Sequence, residues 1–281
     1  MTLEPFKLPS LLKHHHISPR KSLGQNFLVD DGYLRQIVQA AKVTSDTNVL
    51  EIGAGAGNLT RHLAHAAREV VAVEIDQSLF PLLKDTTASF KNIRLVQGDI
   101  LEQNIAELMP RTGYMVVANI PYYITSALIR FLLESPRKPS RLVLTIQQEV
   151  ARRVCASAGD LSLLALSVQL YGDPRVALRV PAGAFYPVPN VDSAVLIVDL
   201  YPEPLIPSQH VEDFFRLAKS AFSQKRKMLR NTLASAPGLD KDSAIALLEQ
   251  SGIDARRRAQ TLTIQEWKVL TDMFRSVGIG E

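Results

Sequence analysis

Between Asn48 and Asp99 short β-branched runs alternate with helix-length segments: NVLEIG, LTRHLAHAA, EVVAVEID, SLFPLLKDTTA and IRLVQGD. Strands separated by helices of that length predict a parallel, layered α/β sheet, because parallel neighbours need a crossover between them. YMVVANI and RLVLTIQQ extend the sheet by two strands, with SALIRFLLES as the intervening helix. RVALRV and SAVLIVDL are separated only by the loop PAGAFYPVPNVD, a spacing that predicts an antiparallel pair at the end of the sheet. The pattern then changes at YPEPLIPS, where Pro202, Pro204 and Pro207 break any regular element. Beyond it apolar residues recur at helical spacing (Val211, Phe214, Phe215, Ala218, Phe222), and Thr263 to Glu266, TIQE, has capping-box form ahead of Trp267. The predicted organisation is an α/β domain over residues 1–204, with 1–22 as a flexible N-terminal arm, followed by a small helical domain over 205–281.

Composition narrows the class. The chain has 281 residues, 46% hydrophobic and 21% charged, the balance of a globular protein, and its apolar runs are strand-length, so no membrane span is expected. The opening MTLEPFKLPSLLKHHHISPRKS lacks the apolar core of a secretory signal, and a single cysteine, Cys155, excludes an intrachain disulfide. Both point to a cytoplasmic protein. The net charge of +4 is unevenly spread: no acidic residue lies between Glu4 and Asp30 or between Asp213 and Asp240. Those windows carry Lys7, Lys13, Arg20 and Lys21, then Arg216, Lys219, Lys225, Arg226, Lys227 and Arg230. Solvated helix faces and a polyanion-binding surface explain such windows equally well. With Ser223 starting a helix, Arg226 and Arg230 would share a face while Met228 and Leu229 turned inward. His14 to His16 cannot all face one metal, and no metal site is expected.

Candidate chemistry gathers at strand ends. Gly53, Gly55 and Gly57 make a glycine turn, but Asn58 stands where a dinucleotide fingerprint needs glycine, which argues against a pyrophosphate ligand. Glu51 lies beneath that turn, and Glu74 and Asp99 end the next two strands. Acids there either cap the following helices or hold a ribose and an adenine, the arrangement an S-adenosylmethionine site requires. The fourth strand ends in Asn119-Ile120-Pro121-Tyr122. An exocyclic amine is a poor nucleophile because its lone pair is delocalised into the ring. The Asn119 amide oxygen and the Ile120 carbonyl could each accept one N–H and localise it, with Pro121 fixing the chain direction and Tyr122 offering a stacking face.

These residues resemble the small-subunit (16S) ribosomal RNA adenine N6,N6-dimethyltransferase family, together with its macrolide-resistance relatives. KSLGQNFLVD is similar to the family's N-terminal motif, EIGAGAGNLT to its glycine motif, ANIPYYITS to its catalytic motif, AFYPVPNVDSAV to its aromatic loop, and FFRLAKSAFSQKRKMLRNTL to the start of its helical domain. The resemblance implies a Rossmann-like class I S-adenosylmethionine-dependent sheet with a small C-terminal helical domain that binds rRNA. It implies a cofactor site of Gln25, Asn26, Leu28, Gly53, Gly55, Glu74, Ile75, Asp99, Ile100 and Asn119. Catalysis would fall to Asn119, Ile120, Pro121, Tyr122 and Phe185, with Tyr122 and Phe185 sandwiching the flipped adenine, and RNA contacts to Lys21, Arg226, Lys227 and Arg230. The implied reaction dimethylates N6 of two adjacent adenosines in a hairpin near the 3′ end of 16S rRNA, by a monomer acting on a small-subunit assembly intermediate. The alternatives are 23S rRNA methylation of the macrolide-resistance type, a non-catalytic rRNA-binding assembly factor, and a nicotinamide oxidoreductase, the last disfavoured by Asn58. Ala54, Ala56 and Asp160 depart from the family's usual residues.

Overall fold

The described residues hold nine strands, seven of them those the pattern predicts: β1 (Phe27–Leu28), β2 (Asn48–Ile52), β3 (Glu69–Glu74), β4 (Ile93–Gln97), β5 (Met115–Asn119), β6 (Arg141–Gln147), β7 (Gly172–Val180), β8 (Phe185–Tyr186) and β9 (Ser193–Leu200). In the computed structural model, which describes residues 3 and 6–277, seven of them form one sheet in the order β4-β3-β2-β5-β6-β9-β7. β4, β3, β2, β5 and β6 run parallel, and β9 is antiparallel to β6 with Leu144 opposite Leu196. β7 and β9 are neighbours, as their short connection predicts. From β2 the chain runs outward through β3 to β4 and then returns to β5 on the other side of β2, a reversal of strand order that opens a crevice at the carboxyl ends of β2 and β5.

Both faces of the sheet are covered, so its inner strands are almost uniformly apolar. Val49, Leu50, Val70, Val117, Val143 and Leu196 are fully buried. The helices Asp31–Ala41 and Asn58–Ala66 pack Leu34, Ile37 and Leu63 onto one face. Asp30 caps the first of them by accepting from the N–H groups of Gly32 and Tyr33.

The chain divides into two compact units, one of Met1–Ala151 with Pro174–Leu200, the other of Arg152–Asp173 with Tyr201–Glu281. The expected boundary at 204 therefore needs correcting, because 152–173 joins the helical unit. Its backbone explains why: Gly159 and Leu161 N–H both donate to the Gln260 carbonyl, and Leu205 N–H donates to Leu170. The helix Leu163–Gln169 buries Ala165, Leu166 and Val168. The unit's aromatic core is Trp267, stacked on Phe222 at 5.9 Å and edge-on to Phe214 at 6.2 Å. The capping box at Thr263 and Glu266 forms as its spacing predicts.

Two further expectations are overturned. The N-terminal segment is not a flexible arm throughout: Leu8–His14 is a helix whose Leu8 and Leu12, four apart on one face, are buried with Phe27, Ala56, Leu79 and Leu82. Leu11 of the same helix, with Phe6 and Ile17 flanking it, packs on the same cluster, so the short helix docks without any continuous apolar run. Ser223 does not start a helix. It closes the helix Val211–Phe222, its hydroxyl donating to the Ser220 carbonyl, and the next helix begins only at Leu229. Lys225, Arg226 and Lys227 are exposed on the intervening loop, Met228 is 37% exposed, and Arg226 and Arg230 form no helical ridge.

Candidate active site

The glycine turn after β2 is built by φ values of +74° at Gly53, +60° at Gly55 and +89° at Gly57, a region that residues with a Cβ avoid. The turn is tied to its neighbour strand, since Gly53 and Ala54 N–H both donate to the Val73 carbonyl. A Cβ on Gly55 would meet the Phe27 ring at 3.0 Å, so the glycine also lets β1 close over the turn.

Three carboxylates differ in how they are satisfied. Glu74 is buried and accepts from Gly55 N–H at 2.7 Å and Asp76 N–H at 2.8 Å. Burial pushes its pKa up, and those backbone bonds oppose the shift. Glu51 is 1% exposed and its Oε2 has no hydrogen-bond partner. Burial, opposed by the nearby Thr60 hydroxyl and reinforced by the neighbouring Glu74, pushes its pKa to about 8. Asp99 accepts from Leu101 N–H at 2.9 Å, so it does cap the short helical turn that follows, with one of its two oxygens. Asn58, whose amide donates to the Leu28 carbonyl at 2.8 Å, leaves a buried Oδ1 without a partner. Unmet buried acceptors are uncommon in a folded protein and call for a partner such as a ligand or an ordered water.

Asn119 ends β5, half-buried. Its Nδ2 donates to the Asn26 carbonyl at 3.0 Å, which fixes the amide plane and leaves Oδ1 as an acceptor. The loop bearing Asn26 approaches the loop after β5 so closely that a Cβ on Gly24 would meet Pro121 and Tyr123, each at 3.3 Å. Tyr122 lies in a single helical turn, its hydroxyl 2.9 Å from Ser193 Oγ, and burial raises its pKa.

One cavity brings these groups together. Gln25, Asn26, Leu28, Gly53, Gly55, Glu74, Ile75, Asp99, Ile100, Asn119, Ile120, Pro121 and Tyr122 all line it, with Glu51 and Asn58. Gln25 has its side chain otherwise engaged, accepting from Arg20 N–H and donating to Asp76, both at 2.7 Å. Phe185 is not at the cavity. It pairs with Leu28 across β1 and β8 and is 2% exposed in the core, while alternation turns Tyr186 outward at 39%. The expected sandwich with Tyr122 is absent for that reason. Lys21 is exposed in the turn Lys21–Leu23 that enters the cavity loop. In the helical unit Arg226 and Lys227 are exposed and Arg230 is half-buried, its Nε enclosed without a partner.

Sequence reasoning missed Asp76 and gave Asn58 only a negative role. Asp76 is 2% exposed and organises the rim through Gln25, Ser78 and Arg20. Burial opposes its ionisation, but the hydrogen bonds from Ser78 and Gln25 and the Arg20 charge bring its pKa below the usual value. Its signal was an acid two residues beyond Glu74.

The sequence profile of the ribosomal RNA adenine dimethylase family matches residues 17–271. The chain belongs to that family. Among its relatives, a ribosomal RNA small subunit methyltransferase A from Dehalococcoides mccartyi (strain ATCC BAA-2266 / KCTC 15142 / 195) is 42% identical, covering 92% of this chain and 90% of its own length. The Bacillus licheniformis protein of the same name is 40% identical over 97% of each chain. Among solved structures, a dimethyladenosine transferase from Plasmodium falciparum superposes with a TM-score of 0.77 at 26% identity, covering 89% of this chain and 97% of that one. The 23S rRNA methyltransferase ErmE gives 0.72 at 28%, covering 89% and 100%. As a family member this chain is an S-adenosylmethionine-dependent rRNA adenine dimethyltransferase with a class I methyltransferase sheet. The cavity suits that donor: unmet acceptors on Glu51 and Asn58 await hydrogen-bond donors, and the side-chain-free turn at Gly53 lets a ligand approach the backbone.

Proposed function

We propose that this dimethylase acts on the small ribosomal subunit, methylating N6 of two adjacent adenosines in a hairpin near the 3′ end of 16S rRNA within an assembly intermediate, as a cytoplasmic monomer. The relatives named for the small subunit, at 40–42% identity over nearly the whole chain, support the substrate. The observation that carries the chemistry is the Asn119 amide, turned by Asn26 so that Oδ1 is the available acceptor.

In this reading Glu74 and Asp99 hold the ribose and adenine of the donor, Ile75 and Ile100 flank the adenine, and Glu51 faces the α-ammonium beside the Gly53 turn. The donor supplies an electrophilic methyl on a sulfonium. Asn119 Oδ1 and the Ile120 carbonyl each accept an N6–H, so the nitrogen lone pair is localised towards the methyl; nitrogen–carbon bond formation accompanies carbon–sulfur cleavage, and the excess proton leaves to solvent. After one transfer the amine rotates and Asn119 takes the remaining hydrogen. Tyr122 gives the extruded base one stacking face, held by its bond to Ser193. Phe185 supports the strand β1 that carries Leu28. The first unit does the chemistry, and the helical unit contributes rRNA contacts through Arg226 and Lys227.

The test is to incubate the purified protein with labelled S-adenosylmethionine and, separately, small-subunit particles, naked 16S rRNA and 23S rRNA. The expected product is N6,N6-dimethyladenosine at two adjacent positions of 16S rRNA, made most efficiently in particles. Label confined to 23S rRNA would assign the chain to the macrolide-resistance type instead.

A further inference from the structure

A second recess lies in the same unit as the catalytic cavity, at the other edge of the sheet. It is lined by the starts of β2, β3 and β4, by Asn48, Glu69 and Ile93, and by the segment Leu108 to Arg111. The strands are parallel and in register, with Asn48 opposite Glu69 and Val70 opposite Ile93. The recess is therefore separated from the glycine turn by the length of a five-residue strand, roughly 16 Å.

Its charge is one-sided. Arg68, Lys91, Arg94 and Arg111 line it and are exposed, against a single carboxylate, Glu69. Arg137 reaches the rim, donating to the Pro110 carbonyl, while Arg94 donates to the Leu108 carbonyl. Among the described residues none of these five cations has an ion-pair partner. Elsewhere in the unit exposed arginines are matched: Arg35 with Asp31, Arg130 with Glu134, Arg175 with Asp199 and Arg179 with Asp192. Unmatched like charges repel one another and cost stability unless an anion neutralises them. The carbonyl bonds fix two of the guanidinium groups in place, so their ordering entropy is already spent before a ligand arrives.

We propose that this recess is a second rRNA contact, gripping the phosphate backbone of a segment remote from the target adenosine. A polyanion fits better than one small anion because the cations come from four separate stretches of chain along an open edge. Such a contact adds affinity without base specificity, by releasing counterions from the RNA. It would anchor the particle at one edge of the sheet while the flipped base enters at the other. The proposal rests on the rRNA substrate and not on which ribosomal subunit carries it.

The test is the double charge reversal Lys91→Glu with Arg111→Glu in the full chain, beside the milder Lys91→Ala with Arg111→Ala. Affinity is measured at several salt concentrations for whichever rRNA particle the wild-type protein methylates, so a wrong subunit assignment would show in the wild type alone. The reversal should weaken binding at least about tenfold at low salt, and the alanine pair should flatten the slope of log affinity against log salt by about 0.7 for each phosphate that is no longer neutralised. The rate at saturating RNA and the affinity for S-adenosylmethionine should stay unchanged, which also reports correct folding. Parallel salt lines for mutant and wild type would overturn the proposal. So would inorganic pyrophosphate binding that the substitutions abolish while particle affinity stays within twofold, because the recess would then be a small-anion site.

Discussion

The two edges of one sheet solve opposite problems. At the carboxyl edge the unmet groups are acceptors, Glu51 Oε2 and Asn58 Oδ1, sunk in a recess among apolar neighbours. At the amino edge, among the described residues, four exposed cations without ion-pair partners surround an open groove, and a single buried acceptor, Asn48 Oδ1, is also unpaired. A desolvated hydrogen bond discriminates by geometry and is little affected by salt, whereas exposed charge acts at a distance and is screened within about 10 Å at 0.1 M salt. Selecting one amine and gripping a large polyanion are thus separated within a single unit, and substitutions at the two edges should differ in salt dependence as well as in size.

The largest effect belongs to the carboxyl edge. Asn119→Ala removes the acceptor for N6–H and should slow single-turnover methyl transfer by about two orders of magnitude or more, at every salt concentration, with RNA affinity retained. A loss that grew with salt would erase the contrast between the edges.

Glu51 sharpens it through pH. Its folded pKa of about 8 lies above the ordinary 4.5, so between those values the folded protein binds more protons than the unfolded chain. Its contribution is fully present below about 4.5 and is lost as pH rises towards 8, at which point the ionised carboxylate is buried. Glu51→Gln should remove that fall, on the order of 4 kcal/mol between pH 5 and pH 8.5, and denaturant titrations over that range would show it. The same shift predicts that S-adenosylmethionine binding at pH 7 releases a proton in the wild type and not in Glu51→Gln, measurable by calorimetry in buffers of different ionisation enthalpy.

Glu74→Gln should weaken donor affinity by about 1.5–3 kcal/mol, because a neutral amide replaces the carboxylate that accepts from the ribose and its NH₂ would face one of the two backbone N–H groups that now donate to Glu74. Undiminished affinity by calorimetry would take Glu74 out of the donor site. Smallest is Arg226→Ala in the exposed loop of the helical unit, for which we expect a few-fold loss of particle affinity at low salt and none at high salt.

The sheet was legible in the sequence because its parallel strands are buried on both faces and written as unbroken apolar runs between helices, from Val49 to Val143. The strand-end residues were legible too, since one edge of a parallel sheet collects every residue that follows a strand. What escaped was written in other periods. Leu8, Leu11 and Leu12 dock a helix of barely two turns, an i, i+3, i+4 pattern too short to stand out beside the longer periodic segments. Ser223 has the residue type of a helix start, yet its hydroxyl serves the helix before it. Phe185, given a stacking role by family likeness, lies on the inward side of a two-residue strand and is buried against the core, a placement that its residue type alone does not reveal. The amino-edge cations lie singly at Arg68, Lys91, Arg94 and Arg111, outside both acid-free windows, and only the parallel register assembles them.

The central claim is that Asn119 is oriented by Asn26 to accept from the target amine. Its most direct test is the structure of the protein with a target-hairpin RNA and a donor analogue that cannot transfer its methyl group. We predict the adenine N6 about 2.8–3.1 Å from Asn119 Oδ1, with Nδ2 still donating to the Asn26 carbonyl. An N6 more than about 4 Å from Oδ1, or an Asn119 amide released from Asn26 and turned with its nitrogen towards the base, would contradict the account.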